Sequence, residues 1–202
     1  MHMADEPTDI LTPQGKLQDI MHRPNLDVVM NLFKIPRAFA VSGFGDWNVG
    51  QHSFCVAYLA LYWAQHRGYD EARRNRLILM GLTHDLHEAA TGDILPLLKI
   101  PPLREKLDEI QQQFLNGLGV TSDTELLPDL KALDRMAFLY EIRCTAVINL
   151  AQRQRLARFF GEQQDQLLRH ANAHGLPDVP GFLERMGIQP LDADAKEGLS
   201  SP

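Results

Sequence analysis

The chain is 202 residues long, carries 20 Lys plus Arg against 26 Asp plus Glu for a net charge of −6, and is 45% hydrophobic. Those values exclude a wholly disordered or collagen-like polymer and predict a core that buries about 70% of the unfolded surface. The acidic balance argues against a general nucleic-acid binder, whose affinity comes from clustered Lys and Arg. No apolar run approaches the roughly 18–20 residues of a membrane span.

The opening residues lack the basic and apolar regions of a secretory signal, and two cysteines, Cys55 and Cys144, are too few for a disulfide framework. A cytoplasmic, reduced setting is expected, with both cysteines as small buried residues. Strand alternation is almost absent, and helical signals dominate. From Gln51 to Arg67 the middle of the segment is nearly all apolar, which predicts a helix buried on most sides. Gly68 ends it, and Asp70 with Glu71 caps a second helix running through Leu77, Met80 and Leu82 towards Ala90, before Thr91-Gly92. Pro101-Pro102 opens a third, with Leu103, Leu107, Ile110, Phe114 and Leu118 on one face before Gly119. After Asp129, Leu130, Leu133, Ala137, Tyr140, Cys144 and Val147 recur at steps of three and four. Two further helices are expected over Glu162 to Ala173 and Pro180 to Met186. Residues 1–190 read as one all-α domain and residues 191–202 as a polar, solvated tail.

Three places hold side chains out of keeping with apolar surroundings: His52, the pair His84-Asp85 with Glu88 behind it, and Asp134. From His52 to Arg67 is 15 residues, and from Asp70 to Asp85 is again 15, so each arm of a helical hairpin rises about 22 Å. A tight antiparallel turn therefore returns His84 and Asp85 to the level of His52. Spacings of three and four put His84, Asp85 and Glu88 on one helix face. Two imidazoles and a carboxylate, with Asp134 if its helix crosses the hairpin mouth, form a borderline-to-hard divalent site. Each residue alone also reads as a cap or a satisfied core group; the combination with matched arms favours function. His87 reads as a surface or supporting residue. His170 and His174 are four apart and could chelate, but they sit before Gly175 and read as a helix C-cap.

The order His52, His84-Asp85, Asp134 resembles the signature of the HD-domain metal phosphohydrolases, an all-helical superfamily. The stretch from His84 to Lys99, with Glu88, then Thr91-Gly92-Asp93 and a Pro-containing segment, is similar to that of bacterial 5′-deoxynucleotidases and phage-borne HD hydrolases. Arg37 falls where those nucleotidases place a substrate-contacting Arg. Asp134 followed seven residues later by Glu141 resembles the phage-borne branch.

The resemblance implies an HD-domain helical bundle in which His52, His84, Asp85 and Asp134 hold one divalent ion (Co, Mn, Mg, Zn, Fe or Ni). It implies Glu88 and Asp93 as the catalytic acid–base pair, and Arg37 and Lys99 as contacts to phosphate oxygens. Ala38, then Phe39, stands where the nucleotidases carry a sugar-selecting Trp, which leaves Phe39 or Trp47 for that contact. Leu97-Leu98 replaces the polar-Pro pair usual before the Lys. Ala89 stands where guanosine-tetraphosphate hydrolases carry an acidic residue and argues against that activity. The expected activity is 5′-nucleotidase action on (deoxy)nucleoside monophosphates. The alternatives are a dNTP triphosphohydrolase, for which Arg104 and Lys106 lie near Lys99, and a non-catalytic HD-fold scaffold. The partner expected is a small nucleotide, with no membrane and no nucleic acid. Relatives commonly form homo-oligomers, and the apolar pair Phe159-Phe160 permits one here.

Overall fold

The computed structural model describes residues 26–37, 46–95 and 98–190; Ala38, Phe39, Leu97 and the 191–202 tail lie outside them. In chain order, α1 (Leu26–Asn31) runs into a 3-10 turn (Leu32–Lys34). There follow α2 (Val49–His66), α3 (Glu71–Thr83), a one-turn α4 (Glu88–Thr91) and α5 (Pro101–Gly117). The chain continues through α6 (Leu127–Ile148), α7 (Arg153–Ala173) and α8 (Val179–Arg185). Among the described residues the one isolated β-bridge pairs Pro36 with Asn48, and no helix is long and apolar enough to cross a membrane. The architecture is all-α, as the sequence predicts.

Asn48 starts the central hairpin. Its side chain accepts from the Gln51 N–H at 2.9 Å while the Gln51 side chain accepts from the Asn48 N–H at 3.1 Å, a reciprocal box that satisfies two orphan donors. Val56, Leu59, Ala60, Trp63 and Ala64 then bury one side of α2. The expectation of burial on most sides is corrected: Phe54, Tyr58 and Tyr62, spaced by four, form a stripe of ring contacts, the first stacked and the second edge-on, that faces solvent. Asp70 caps α3 by accepting from the Arg73 N–H at 2.8 Å. The two helices touch closely at Gly81, where an added Cβ would lie 3.1 Å from the Ala57 backbone.

The second helix does not run to Ala90. It stops at Thr83, and residues 84–87 form a turn before α4. The cause lies outside the local sequence. The side-chain amide of Gln111, on α5, donates to the Thr83 carbonyl at 2.7 Å and accepts from the His87 N–H at 3.0 Å. Those two backbone groups would otherwise bond to each other as the next i→i−4 pair of a continuing helix, and an inserted side chain is a recognised cause of a break.

Helix α6 forms the centre of the main core through Ala132, Leu133, Met136, Leu139 and Ile142, all fully buried. Asp129 in its first turn is also buried, and accepts hydrogen bonds from the Trp63 indole and the Tyr69 hydroxyl, tying the end of α2 to the start of α6. Helix α7 begins at Arg153, nine residues before the expected start, because Leu156 and Phe160 extend its buried face. Phe160 is core and Phe159 packs edge-on against Phe138 at 5.9 Å, so this pair is not a free apolar surface. Both cysteines are half-buried. Val147 and Leu118, expected on apolar faces, are exposed. A second, smaller core of Val28, Leu32, Val49, Leu86, Ala89, Ile110 and Phe114 packs the 84–91 segment between α1, α2 and α5.

Candidate metal centre

The hairpin brings His52, His84 and Asp85 together, with one ligand atom from each lying within 4.8 Å of the others. His52 is fully buried in α2, and its Nε2 lies 3.0 Å from Asp134 Oδ1 on α6 and 4.0 Å from Asp85 Oδ2. His84 Nε2 lies 3.1 Å from Asp85 Oδ2, and the two imidazole rings are 5.3 Å apart. Asp134 thus joins the cluster from across the hairpin mouth. His84 and Asp85 stand on the turn after α3, while Glu88 opens α4, so the expected single helix face for the three is replaced by a break that presents them separately.

Each imidazole is fixed through its other nitrogen. His52 Nδ1 lies 2.6 Å from the buried Glu141 Oε1, and His84 Nδ1 lies 2.9 Å from the Gly81 carbonyl. Both partners only accept, so Nδ1 donates to each, and Nε2 is the nitrogen each ring turns towards the carboxylates and would offer to a cation. His84 Nε2 is buried and makes no aligned hydrogen bond. An orphaned imidazole nitrogen beside a second imidazole and two carboxylates is a donor set that fits a divalent cation such as zinc or manganese. Burial resists a proton on His84, but the charge of Asp85, then that of Asp134, outweighs it, and the ring is held at about 9. The field that favours a proton there favours a cation beside it. Burial pushes the Asp85 and Asp134 carboxyls up. Against it, His84, Arg37 and His52 hold Asp85 well below the usual range, and His52, then His84 and Arg37, hold Asp134 at about 2.

Arg37 is placed by main-chain pairing: its N–H donates to the Trp47 carbonyl at 2.8 Å and the Val49 N–H donates to the Ile35 carbonyl at 3.1 Å. The guanidinium then lies 3.3 Å from Glu141, 3.4 Å from Asp85 and 3.5 Å from Asp134. Burial opposes its charge, yet Glu141, Asp85, Asp134 and Glu88 together raise its pKa above the ordinary value. The ring of Trp47 packs edge-on against Tyr140 at 6.0 Å, while its carbonyl holds Arg37.

Glu88 is 2% exposed. One of its oxygens has no partner, and the other lies 3.8 Å from Lys99 Nζ. Burial, then Asp85 and Asp93, push its carboxyl up to about 9 against the pull of Arg37 and Lys99. A carboxylic acid that keeps its proton at neutral pH is a proton donor in waiting. The Lys99 carbonyl accepts from the exposed Arg104 at 3.3 Å, whereas Lys106 is paired with Glu109 at 2.6 Å. His87 turns to Gln111 at 3.2 Å rather than to the cluster. His170 binds the Pro128 carbonyl at 2.8 Å, a structural role as expected.

Two residues acquire a role only with the fold. Glu141 bridges His52 and Arg37 from a fully buried position; its signal in the sequence is the seven-residue step from Asp134, two turns along one face of α6. Gln111 has no signal of its own.

A family profile described as HD domain (HD_3) matches residues 35–137, half of the chain and the whole segment from Arg37 to Asp134. No curated protein matches the sequence significantly. Among solved structures, the cyanophage S-2L HD phosphohydrolase DatZ, bound to dA and one catalytic Zn2+ ion, superposes with a TM-score of 0.54. It shares 20% identity and covers 75% of this chain and 96% of its own.

Proposed function

The chain belongs to the HD domain family, and from that premise we propose that it is a metal-dependent phosphohydrolase that cleaves the phosphate ester of (deoxy)nucleoside 5′-monophosphates. The observation that carries the reading is the convergence of His52, His84 and Asp85, with Asp134 Oδ1 3.0 Å from His52 Nε2 and the buried His84 Nε2 left without a hydrogen bond. Those four would hold the ion. A divalent ion held there supplies Lewis acidity towards a phosphoryl group and a nucleophile at neutral pH.

The remaining chemistry belongs to the protein. Glu141 and the Gly81 carbonyl keep both imidazoles in the ligating tautomer. Arg37 is held by three carboxylates at 3.3–3.5 Å, longer than the roughly 2.7–2.9 Å of a strong charge-assisted hydrogen bond, so phosphate oxygens can compete for it. Lys99 offers a second fixed cation, and together the two offset the charge of the transferring group. Glu88 gives its proton to the leaving 5′ oxygen, and Asp93, near enough to raise the Glu88 carboxyl, receives a proton from the incoming water. The nucleoside part of the substrate draws support from the phage relative, whose structure holds dA.

Product analysis by chromatography tests the reading, with zinc- or manganese-loaded protein against ribo- and deoxynucleoside mono- and triphosphates. The expected products are nucleoside and phosphate from the monophosphates. Tripolyphosphate release would move the protein to the triphosphohydrolases, the reading in which Arg104, beside Lys99, meets the outer phosphates. Metal uptake without any turnover would refute both in favour of a scaffold.

A further inference from the structure

We infer that Gln111 is a positioning residue for the metal centre: by holding the break between α3 and α4 open, it presents His84 and Asp85 as ligands. The inference rests on the reading of the cluster as a metal site and deepens it. The sequence from Asp70 to Ala90 has the apolar spacing of one uninterrupted helix, and nothing within it forces a stop at Thr83. There is no Pro, and the glycine in the segment, Gly81, lies inside α3. What interrupts the helix is the Gln111 carboxamide. Its Nε2 donates to the Thr83 carbonyl at 2.7 Å and its Oε1 accepts from the His87 N–H at 3.0 Å, the acceptor and the donor of one i→i−4 bond. Oε1 also lies 3.2 Å from His87 Nδ1, and because the Thr83 carbonyl only accepts and the His87 N–H only donates, the amide cannot be exchanged end for end without losing both backbone contacts.

Around the inserted amide the chain is bonded one residue tighter. The N–H groups of Leu86, Glu88, Ala89 and Ala90 donate to the carbonyls of Thr83, Asp85, Leu86 and His87 at 3.0–3.2 Å, the i→i−3 pattern of a narrower helix. Rise and rotation per residue differ between the two patterns. The directions in which His84 and Asp85 leave the backbone are therefore set by the break and would differ in a continuous helix. Gln111 touches none of the four ligand side chains, so its effect on them passes through the 83–87 backbone. Ile110 and Phe114, buried on either side of it in α5, fix where the amide is delivered.

The test measures metal affinity and the visible spectrum of the cobalt-loaded full chain, for the wild type, Gln111→Leu and Gln111→Glu. Gln111→Leu fills similar space with no polar group, and Gln111→Glu keeps the acceptor for the His87 N–H but loses the donor to Thr83. Outer-sphere changes of this kind cost about 10- to 100-fold in metal affinity. The expected result is a loss in that range for Gln111→Leu with an altered cobalt spectrum, and a smaller loss for Gln111→Glu. A folded Gln111→Leu or Gln111→Glu with wild-type affinity and spectrum overturns the inference. Failure of the wild type to bind cobalt at all would instead overturn the metal-site reading beneath it. Should Gln111→Leu not fold, the Gln111→Glu comparison decides, joined by a measurement on the unaltered protein. A long-range HNCO cross-peak from the His87 amide to Gln111 Cδ is expected; a cross-peak to the Thr83 carbonyl carbon would show a continuous helix and refute the device.

Discussion

Gly81→Ala is the substitution that most directly tests whether the spacing of α2 and α3 sets the metal centre. An alanine Cβ would lie 3.1 Å from both Cα and N of Ala57 and 3.2 Å from Val56 Cγ1. Carbon atoms settle at about 3.5–4.0 Å, so relief requires α3 to withdraw by about 0.4 Å. The neighbour is helix backbone, which cannot rotate aside as a side-chain tip can. Overpacking of this size costs about 1–3 kcal/mol, and for a chain of this length each kcal/mol lowers Tm by about 2–4 °C. The withdrawal carries the Gly81 carbonyl, and with it His84, whose Nδ1 it holds at 2.9 Å. Metal–ligand distances tolerate only about 0.2 Å, so zinc affinity should fall about tenfold or more. Calorimetric titration with zinc and a thermal melt measure the two effects. Gly161→Ala in α7, where an added Cβ meets nothing within 4 Å, serves as the control and should gain about 0.5–1 kcal/mol. A Gly81→Ala protein that melts and binds zinc like the wild type would refute the argument.

Asp85→Ala should abolish metal uptake and turnover together, whereas Glu88→Gln should keep the metal, measured by elemental analysis, and lose turnover; normal activity in either removes the site assignment. Glu141→Gln, which weakens the anchor of His52 and one contact of Arg37, should cost about 10- to 100-fold in zinc affinity, read by competition with a chelating dye. In chelator-treated protein, Glu88 has a carboxyl raised from 4.5 to about 9 and His84 a ring raised from 6.5 to about 9. Their contributions are fully present below 4.5 and 6.5 respectively, and both are lost as pH rises through about 9. Urea midpoints of the chelated protein should therefore fall between pH 6.5 and 9, and fall less in Glu88→Gln; a flat profile would contradict the burial argument. Gly92→Ala should destabilise by about 1–3 kcal/mol, since its φ of 75° and ψ of 168° suit glycine; an unchanged melt would show that the 92–93 turn is free to rearrange.

The hairpin was legible because its determinants are local: a cap at Asp70, a glycine at position 68 and matched arm lengths bring His84 and Asp85 back beside His52. The order of ligand-type residues was legible because the donor chemistry is restricted to a few side chains. The stop at Thr83 was not, because its cause sits 24–28 residues further along the chain. The solvent-facing stripe of Phe54, Tyr58 and Tyr62 was hidden for a related reason: an apolar side chain announces its own preference but not whether a neighbour arrives to cover it. Glu141 could be placed on the same face as Asp134, yet its partner His52 lies 89 residues away, and no periodicity links two helices that far apart. Arg37 was expected at phosphate oxygens. The ion pairs of its side chain among the described residues are with carboxylates, where a cationic group rests in an acidic cluster.

The contacts of the cluster join residues separated by 48, 82, 89 and 104 positions. In the unfolded chain these groups are strangers, dispersed along separate loops. Folding gathers Asp85, Asp134 and Glu141 around one guanidinium, so a cation entering there meets a charge concentration that only the native topology creates. Such an ion is a reversible clasp across several long loops, and its stabilising effect rises with concentration alone, by about 2.7 kcal/mol at a hundredfold excess over its dissociation constant. The supply of metal in the surroundings then sets how long the fold persists as well as whether the centre is filled.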